Sequence, residues 1–396
     1  MDLNRRDFLA GSVGLGIGSY LASLTLPTWL QAAAAGANDR FLVVLQLTGG
    51  NDALNTIIPF GDDLYHRLRP TLRIAKPLPL DDHFGLHPRL GKLRARFDAG
   101  QVAVQHGVGY PNPNRSHFRS LDIWHSASVA EDTPLTGWLG RAADRAANQD
   151  LVWRVGSRDV PLAMRGRGSA GAAIEGPEDL RWRNPAGIDT DALVATGLTE
   201  RRAGSPAVEA VRAATVDAMQ RCQRAAQFES GSSAVPYPGT GLGERLQLAA
   251  QLFASRVGPR VAYVSQDGYD THSRQADPHG DLLGELDGAL DAFCAHMEQL
   301  GLADRVLVFV FSEFGRRAAE NASRGTDHGA AAPVMLVSPA VQAGLHGGRP
   351  RLDQLQDGDV ALDVDFRRVY ATLLEKWLAI DPIPVVGGEY KSLPLV

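Results

Sequence analysis

Cysteine is almost missing from this chain, with Cys222 and Cys294 the only two in 396 residues. So low a count excludes a small disulfide-built scaffold, and neither residue sits beside a histidine in the manner of a thiol nucleophile. Charge of one sign is also lacking. Forty Lys and Arg stand against 45 Asp and Glu, a net charge of −5, so the clustered basic excess of a nucleic-acid surface is absent and no nucleic-acid partner is expected. Beyond the leader no apolar stretch is long enough to span a bilayer, and no internal repeat is visible. Dinucleotide and phosphate loops are lacking as well. Gly239-Thr240-Gly241-Leu242-Gly243 follows a polar loop rather than a strand, and Thr48-Gly49-Gly50-Asn51-Asp52 has no Lys followed by Ser or Thr.

What is present begins with an address. Asn4-Arg5-Arg6-Asp7-Phe8-Leu9 sets paired arginines before an uncharged stretch that ends in small residues at positions 32–37. Gly11, Gly14, Gly16, Gly18 and Pro27 dilute that stretch too far for a membrane helix. The pattern predicts a twin-arginine export signal over residues 1–37, cleaved after Ala37 in Ala35-Gly36-Ala37. The twin-arginine translocase is then a partner during export, and the mature protein is periplasmic or extracellular with no stable membrane span. That route moves folded chains, so folding cannot depend on a Cys222–Cys294 bridge.

The mature chain of about 360 residues suits one large α/β domain over residues 38–396. Apolar runs at residues 40–47, 102–105, 160–164, 260–265, 305–311 and 333–337 read as strands. Residues 88–97, 115–128, 137–147, 206–228, 243–256, 282–300 and 365–378 read as helices, and residues 230–238 as a loop within the domain. Alternation of this kind predicts a doubly wound, mainly parallel sheet with helices on both faces.

Chemistry concentrates in Tyr269-Asp270-Thr271-His272, Ser312-Glu313-Phe314-Gly315 and Thr326-Asp327-His328-Gly329, the second directly after a buried run. Carboxylates and imidazoles at strand ends can converge in the crevice at a sheet edge and hold one or two divalent ions. The turn at Gly49-Gly50 reads either as a tight turn or as one that delivers Asp52 or Asn51 to the same edge.

Together with Phe84-Gly85-Leu86-His87-Pro88 and Asn114-Arg115-Ser116-His117-Phe118, these motifs resemble an exported family called domain of unknown function fifteen-oh-one, over nearly the whole mature chain. That family is grouped by fold with the alkaline phosphatase superfamily of phosphatases, sulfatases, phosphodiesterases and mutases. The resemblance implies metal ligation by Asp52, Asp270, His272, Glu313 and His328. Where the superfamily has an Asp-His pair this chain reads Glu313-Phe314, so one imidazole is missing. The loss shifts expectation from zinc toward magnesium, manganese or calcium, unless Asp327 or another group fills the gap.

The resemblance also sets Ser116, before a helix, where the superfamily carries its nucleophile, with an N-cap as the plainer reading. Arg115 would bind the transferred anion, and His117 would be a ligand, a proton donor or a packed histidine. Two functions follow as expectations: an exported metal-dependent hydrolase of phosphate or sulfate esters, or a non-catalytic envelope protein that binds a partner.

Overall fold

The seven residues of Phe41–Leu47 (β1) are buried throughout, which requires cover on both faces of the strand. The computed structural model describes residues 40–148, 151–169, 171–180, 235–255 and 258–396. All the elements below belong to the unit Arg40–Val396. The expected signal at residues 1–37, the helix at 206–228 and Cys222 lie outside the described residues. Cys294 is unbridged among them.

After β1 come Val102–Gly109 (β2), Val152–Val155 (β3), Ala172–Ile174 (β4), Val261–Gln266 (β5), Val306–Phe311 (β6), Ala332–Val337 (β7), Gly344–His346 (β8) and Val364–Asp365 (β9). They form a nine-stranded sheet in the order β8-β2-β7-β6-β1-β5-β3-β4, with β9 also on β2. From β6 to β4 every neighbour is parallel, while β7 runs antiparallel to both β6 and β2. The mainly parallel sheet expected from the alternation is therefore present.

Strand alternation divides the core in two. Val43, Leu45, Val306, Val308 and Val310 face one layer, which packs on helices Gly91–Asp98 (α1), and further along the chain Gly241–Ser255 and Ala276–Gln299. Leu42, Val44, Leu307, Phe309 and Phe311 face the other, covered by His117–Ser126 (α2), Trp138–Arg145 (α3) and Phe366–Thr372. Each large apolar side chain buried in this way contributes about 1.5–3 kcal/mol. Trp377 also donates its indole N–H to the Phe41 carbonyl at 2.8 Å, so the polar edge of the ring is satisfied inside the core.

Two expectations need correction. Residues 160–164 are not a strand: Leu162–Met164 is a 3-10 turn behind Pro161, which has no N–H to give a ladder. The strand of this region is β3, ten residues earlier, where Arg154 interrupts the apolar pattern that sequence reading relies on. The helix expected from residue 282 begins at Ala276, because Pro278 falls in its first turn, where a missing N–H costs nothing. No helix among the described residues is long and apolar enough to cross a membrane.

Candidate metal centre

The register of the central strands decides where chemistry can gather. Leu47 of β1 pairs with Gln266 of β5, and Gln46 pairs with Phe311 of β6, so residues 48–52, 267–272 and 312–316 leave the sheet at one edge. Gly49 makes their approach possible. Its φ of +116° suits glycine, and a Cβ there would stand 2.5 Å from the Asp270 amide nitrogen. Ser312 and Glu313 fasten the turn to β6. Ser312 Oγ donates to the Leu47 carbonyl at 2.6 Å and accepts from the Asn51 N–H at 2.9 Å. Glu313 Oε1 accepts from the Gly49 N–H at 2.8 Å.

Three imidazoles converge on one carboxylate oxygen. Asp270 Oδ1 lies 3.0 Å from His272 Nε2, 3.0 Å from His328 Nε2 and 3.4 Å from His117 Nε2. His272 Nε2 and His328 Nε2 are 2.9 Å from each other. Every ring is held by its opposite nitrogen: His117 Nδ1 by Glu313 Oε1 at 2.9 Å, His328 Nδ1 by the Arg115 carbonyl at 2.7 Å, and His272 Nδ1 by Asp327 Oδ1 at 3.3 Å. Carbonyl and carboxylate oxygens only accept, so each neutral ring keeps its proton on Nδ1 and turns a bare Nε2 inward. Bare nitrogens and an anionic oxygen at these distances repel one another unless a cation lies among them; Arg316 supplies part of that charge, with Nη2 2.7 Å from Asp270 Oδ1 and Nη1 3.5 Å from His272 Nε2. His117, Asp270 and His328 each offer an atom within 4.8 Å of the others, which meets the geometric requirement for a shared ion. Phe314 forms an apolar wall, its ring 4.7 Å from that of His328 and 4.9 Å from that of His117.

Arg316 fixes the loops around this group. Its guanidinium is buried and donates to the carbonyls of Gly50 at 2.6 Å, Thr326 at 2.8 Å, Tyr269 at 3.0 Å and Gly49, and to Asp270 Oδ1 at 2.7 Å. Burial would raise the Asp270 carboxyl, but the hydrogen bond and the charge of the Arg316 guanidinium hold it well below the usual carboxylate range. The hydrogen bond to Glu313 pushes the His117 imidazole up against its partial burial. Asn321, donating to Oδ1 at 3.0 Å, holds the Asp327 carboxyl low.

Asp270, His272 and His328 thus meet, and His117 joins them from the start of α2. Glu313 and Asp327 stand behind rings, each on an Nδ1. Asp52 makes its contacts elsewhere: it is fully buried, its Oδ2 accepts from Arg69 Nη1 at 2.6 Å and from Gln275, and Oδ1 takes no hydrogen bond. Burial would raise its carboxyl, and Arg69 more than reverses this and holds it low. Arg115 spends its side chain on Asp359 Oδ2, at 3.0 Å through Nε and 2.5 Å through Nη2. Ser116 is exposed, and its hydroxyl does not cap α2; Asn114 Oδ1 accepts from the Ser116 N–H at 2.8 Å.

Sequence reading missed Arg69 and Asp359, which carry no motif, whereas Arg316 follows Glu313 closely enough in sequence to be expected in the same crevice, with a solvated helix start as the plainer alternative. The run of one strand directly into Glu313-Phe314-Gly315-Arg316 was the available signal for Arg316, since a charge so close to a buried strand must find partners.

A mainly parallel α/β sheet with a histidine and carboxylate cluster at its strand ends defines the class. Within it, the chain belongs to the family described as protein of unknown function, DUF1501, which matches residues 39–387. No curated protein matches it. Among solved structures it is similar to the lipoteichoic acid synthase LtaP from Listeria monocytogenes, at 9% identity and a TM-score of 0.35 over 76% of this chain and 65% of that one. A protein in the alkaline phosphatase superfamily from Vibrio parahaemolyticus is 11% identical, with a TM-score of 0.38 over 77% of this chain and 62% of that one. The PsFucS1 sulfatase from Pseudoalteromonas is 10% identical, with a TM-score of 0.37 over 91% and 70%. The chain spans less than two thirds of the length of the first two, and no activity carries over from such distant likenesses.

Proposed function

We propose that this protein is an exported, metal-dependent hydrolase of phosphate or sulfate esters that holds one divalent ion among His117, Asp270, His272 and His328. One observation carries the reading: three inward Nε2 atoms, each fixed by an acceptor on its Nδ1, share one carboxylate oxygen. Such outer hydrogen bonds are how metal-binding histidines are oriented. A set of three nitrogens and one oxygen suits zinc better than the oxygen-rich set expected from the motifs, since His117 supplies an imidazole that Glu313-Phe314 lacks. When bound, a divalent cation would stabilise negative charge developing on the ester.

The chain's own residues supply the rest. Ser116 offers an exposed hydroxyl beside His117 and is the candidate to attack the phosphorus or sulfur, so that the ester's alcohol leaves and water later releases the anion. Arg316, tied to four carbonyls, keeps Asp270 ionised and in place. The test is turnover of aryl phosphate, phosphodiester and sulfate esters by zinc-loaded protein. Turnover lost in Asp270→Asn and in Ser116→Ala supports both site and nucleophile; turnover kept in Asp270→Asn contradicts the site.

The second reading, a non-catalytic envelope binding protein, is favoured by Arg115, whose charge is taken up by Asp359 instead of standing free for an anion. No turnover of any ester class, with retention of a defined envelope partner, would establish it. Export rests on Arg5 and Arg6. Arg5→Lys with Arg6→Lys should leave precursor in the cytoplasm, and undiminished export without the twin-arginine translocase would contradict the assignment.

A further inference from the structure

Behind His328 the surface opens into a groove of about 560 Å³, within the range of small-molecule sites. Arg115 and Ala330-Ala331 line it, the last two following His328 closely in the chain. Arg115 faces both ways: its carbonyl fixes His328 Nδ1 at 2.7 Å, while its guanidinium lines the groove. His117, two residues on, belongs to the centre, and two residues of extended chain reach at most about 7 Å. The groove and the centre are therefore neighbours across Arg115.

The lining states what kind of molecule. Asn112 and Gln356 present amides, Asp357 a carboxylate, Arg115 a guanidinium and Tyr110 a ring edge. The one fixed positive charge, on Arg115, is matched by the buried Asp359 carboxylate at 2.5 Å, so the groove has no free cation to select an anion. Its walls mix donors and acceptors with the apolar faces of Pro111, Pro113, Val360 and Leu362. Hydroxyl groups, which both donate and accept, satisfy such a mixture best.

We propose that the groove is the subsite for the alcohol part of the ester, and that this part is a sugar. The position of the subsite rests on the hydrolase reading; its affinity for a neutral sugar does not. The groove then selects among esters, while the centre handles the charged group common to all.

The probes are the methyl glycosides of glucose, galactose and mannose, which carry no ester, tested by saturation-transfer NMR against full-length mature protein. At least one should bind in the millimolar range, equally with zinc and after chelation. Gln356→Trp, an exposed position, should fill the groove and weaken that binding at least tenfold, with melting temperature and zinc content unchanged. Asp357→Ala should weaken it severalfold. Absence of binding by all three glycosides, equal binding of trialanine, or undiminished binding in Gln356→Trp would overturn the proposal. Glycoside binding without any ester turnover would remove the hydrolase reading and leave the sugar groove, whereas aryl-ester turnover without glycoside binding would do the reverse.

Discussion

Asp52 and Asp270 leave the same edge of the sheet, at the ends of neighbouring strands, and meet opposite surroundings. Asp52 and its partner Arg69 are both wholly buried, and Arg69 spends its remaining donors on the Ala318 carbonyl at 2.9 Å, the Arg317 carbonyl at 3.0 Å and Asn55 Oδ1 at 2.9 Å. Asp270 is half exposed, and its Oδ1 accepts from Arg316 Nη2 at 2.7 Å while the inward Nε2 atoms of His272 and His328 stand 2.9 Å from each other beside it. Both carboxylates meet a fixed guanidinium that braces loops, Asp52 that of Arg69 and Asp270 that of Arg316; only Asp270 also faces three imidazole nitrogens, and that addition is what suits it to an ion. The same residue type after a strand end serves two ends, and the neighbours decide which.

The largest effect should come from breaking the brace. Arg69→Met strands a buried carboxylate, and urea unfolding should report a loss of about 3–5 kcal/mol at neutral pH. Adding Asp52→Asn should recover part of it; a double variant worse than the single would mean that the pair is not the source. The pH dependence has a fixed sign. Because Asp52 is held below its ordinary value, its contribution is complete above about pH 4 and fades as pH falls through the lower folded value.

At the centre the larger effect should be on the response to metal, with little change in apo stability for His328→Ala and some loss for Asp270→Asn, which takes the carboxylate from the buried Arg316. Zinc at a hundredfold over its dissociation constant should stabilise the wild type by about 2.7 kcal/mol. Calorimetry on His328→Ala and Asp270→Asn should show that gain abolished. Imidazole ligands must be neutral, and the hydrogen bond to Glu313 holds His117 above the ordinary imidazole value of about 6.5, so the gain should shrink with falling pH from above that value. A full zinc response in either variant would mean that the rings only pack together.

Smaller effects should come from the residues behind the rings. Glu313→Gln should cost about 10–100-fold in zinc affinity, read by competition with a chelating dye. Asp327→Asn, on a longer contact at an exposed site, should cost less than Glu313→Gln. Ser116→Ala should alter neither zinc affinity nor melting temperature, since its hydroxyl caps nothing.

Much of this was legible in the chain. Buried strands around residues 41–45 and 306–311 announce themselves by unbroken apolar character, and the motifs that follow them lie at the edge where a parallel sheet places its chemistry. Asp270, His272 and His328 could be named from sequence because short loops carry them there directly. The division of labour could not. Glu313 and His117 are 196 positions apart, and nothing local says that one carboxylate will orient an imidazole instead of joining it. Arg69 likewise acts through a fold-level contact, 249 positions from the Ala318 carbonyl it braces. The failed strand at residues 160–164 shows the same limit on a smaller scale, since an apolar run after a proline turns where the next element requires it.

The most direct test is the zinc content of folded, gel-filtered protein after saturation, measured by elemental analysis for the wild type, Asp270→Asn with His328→Ala, and Asp52→Asn. The contrast between the two carboxylates predicts one ion per chain, none and one. Two ions in the wild type, or loss of the ion in Asp52→Asn with retention in the Asp270 and His328 variant, would contradict it.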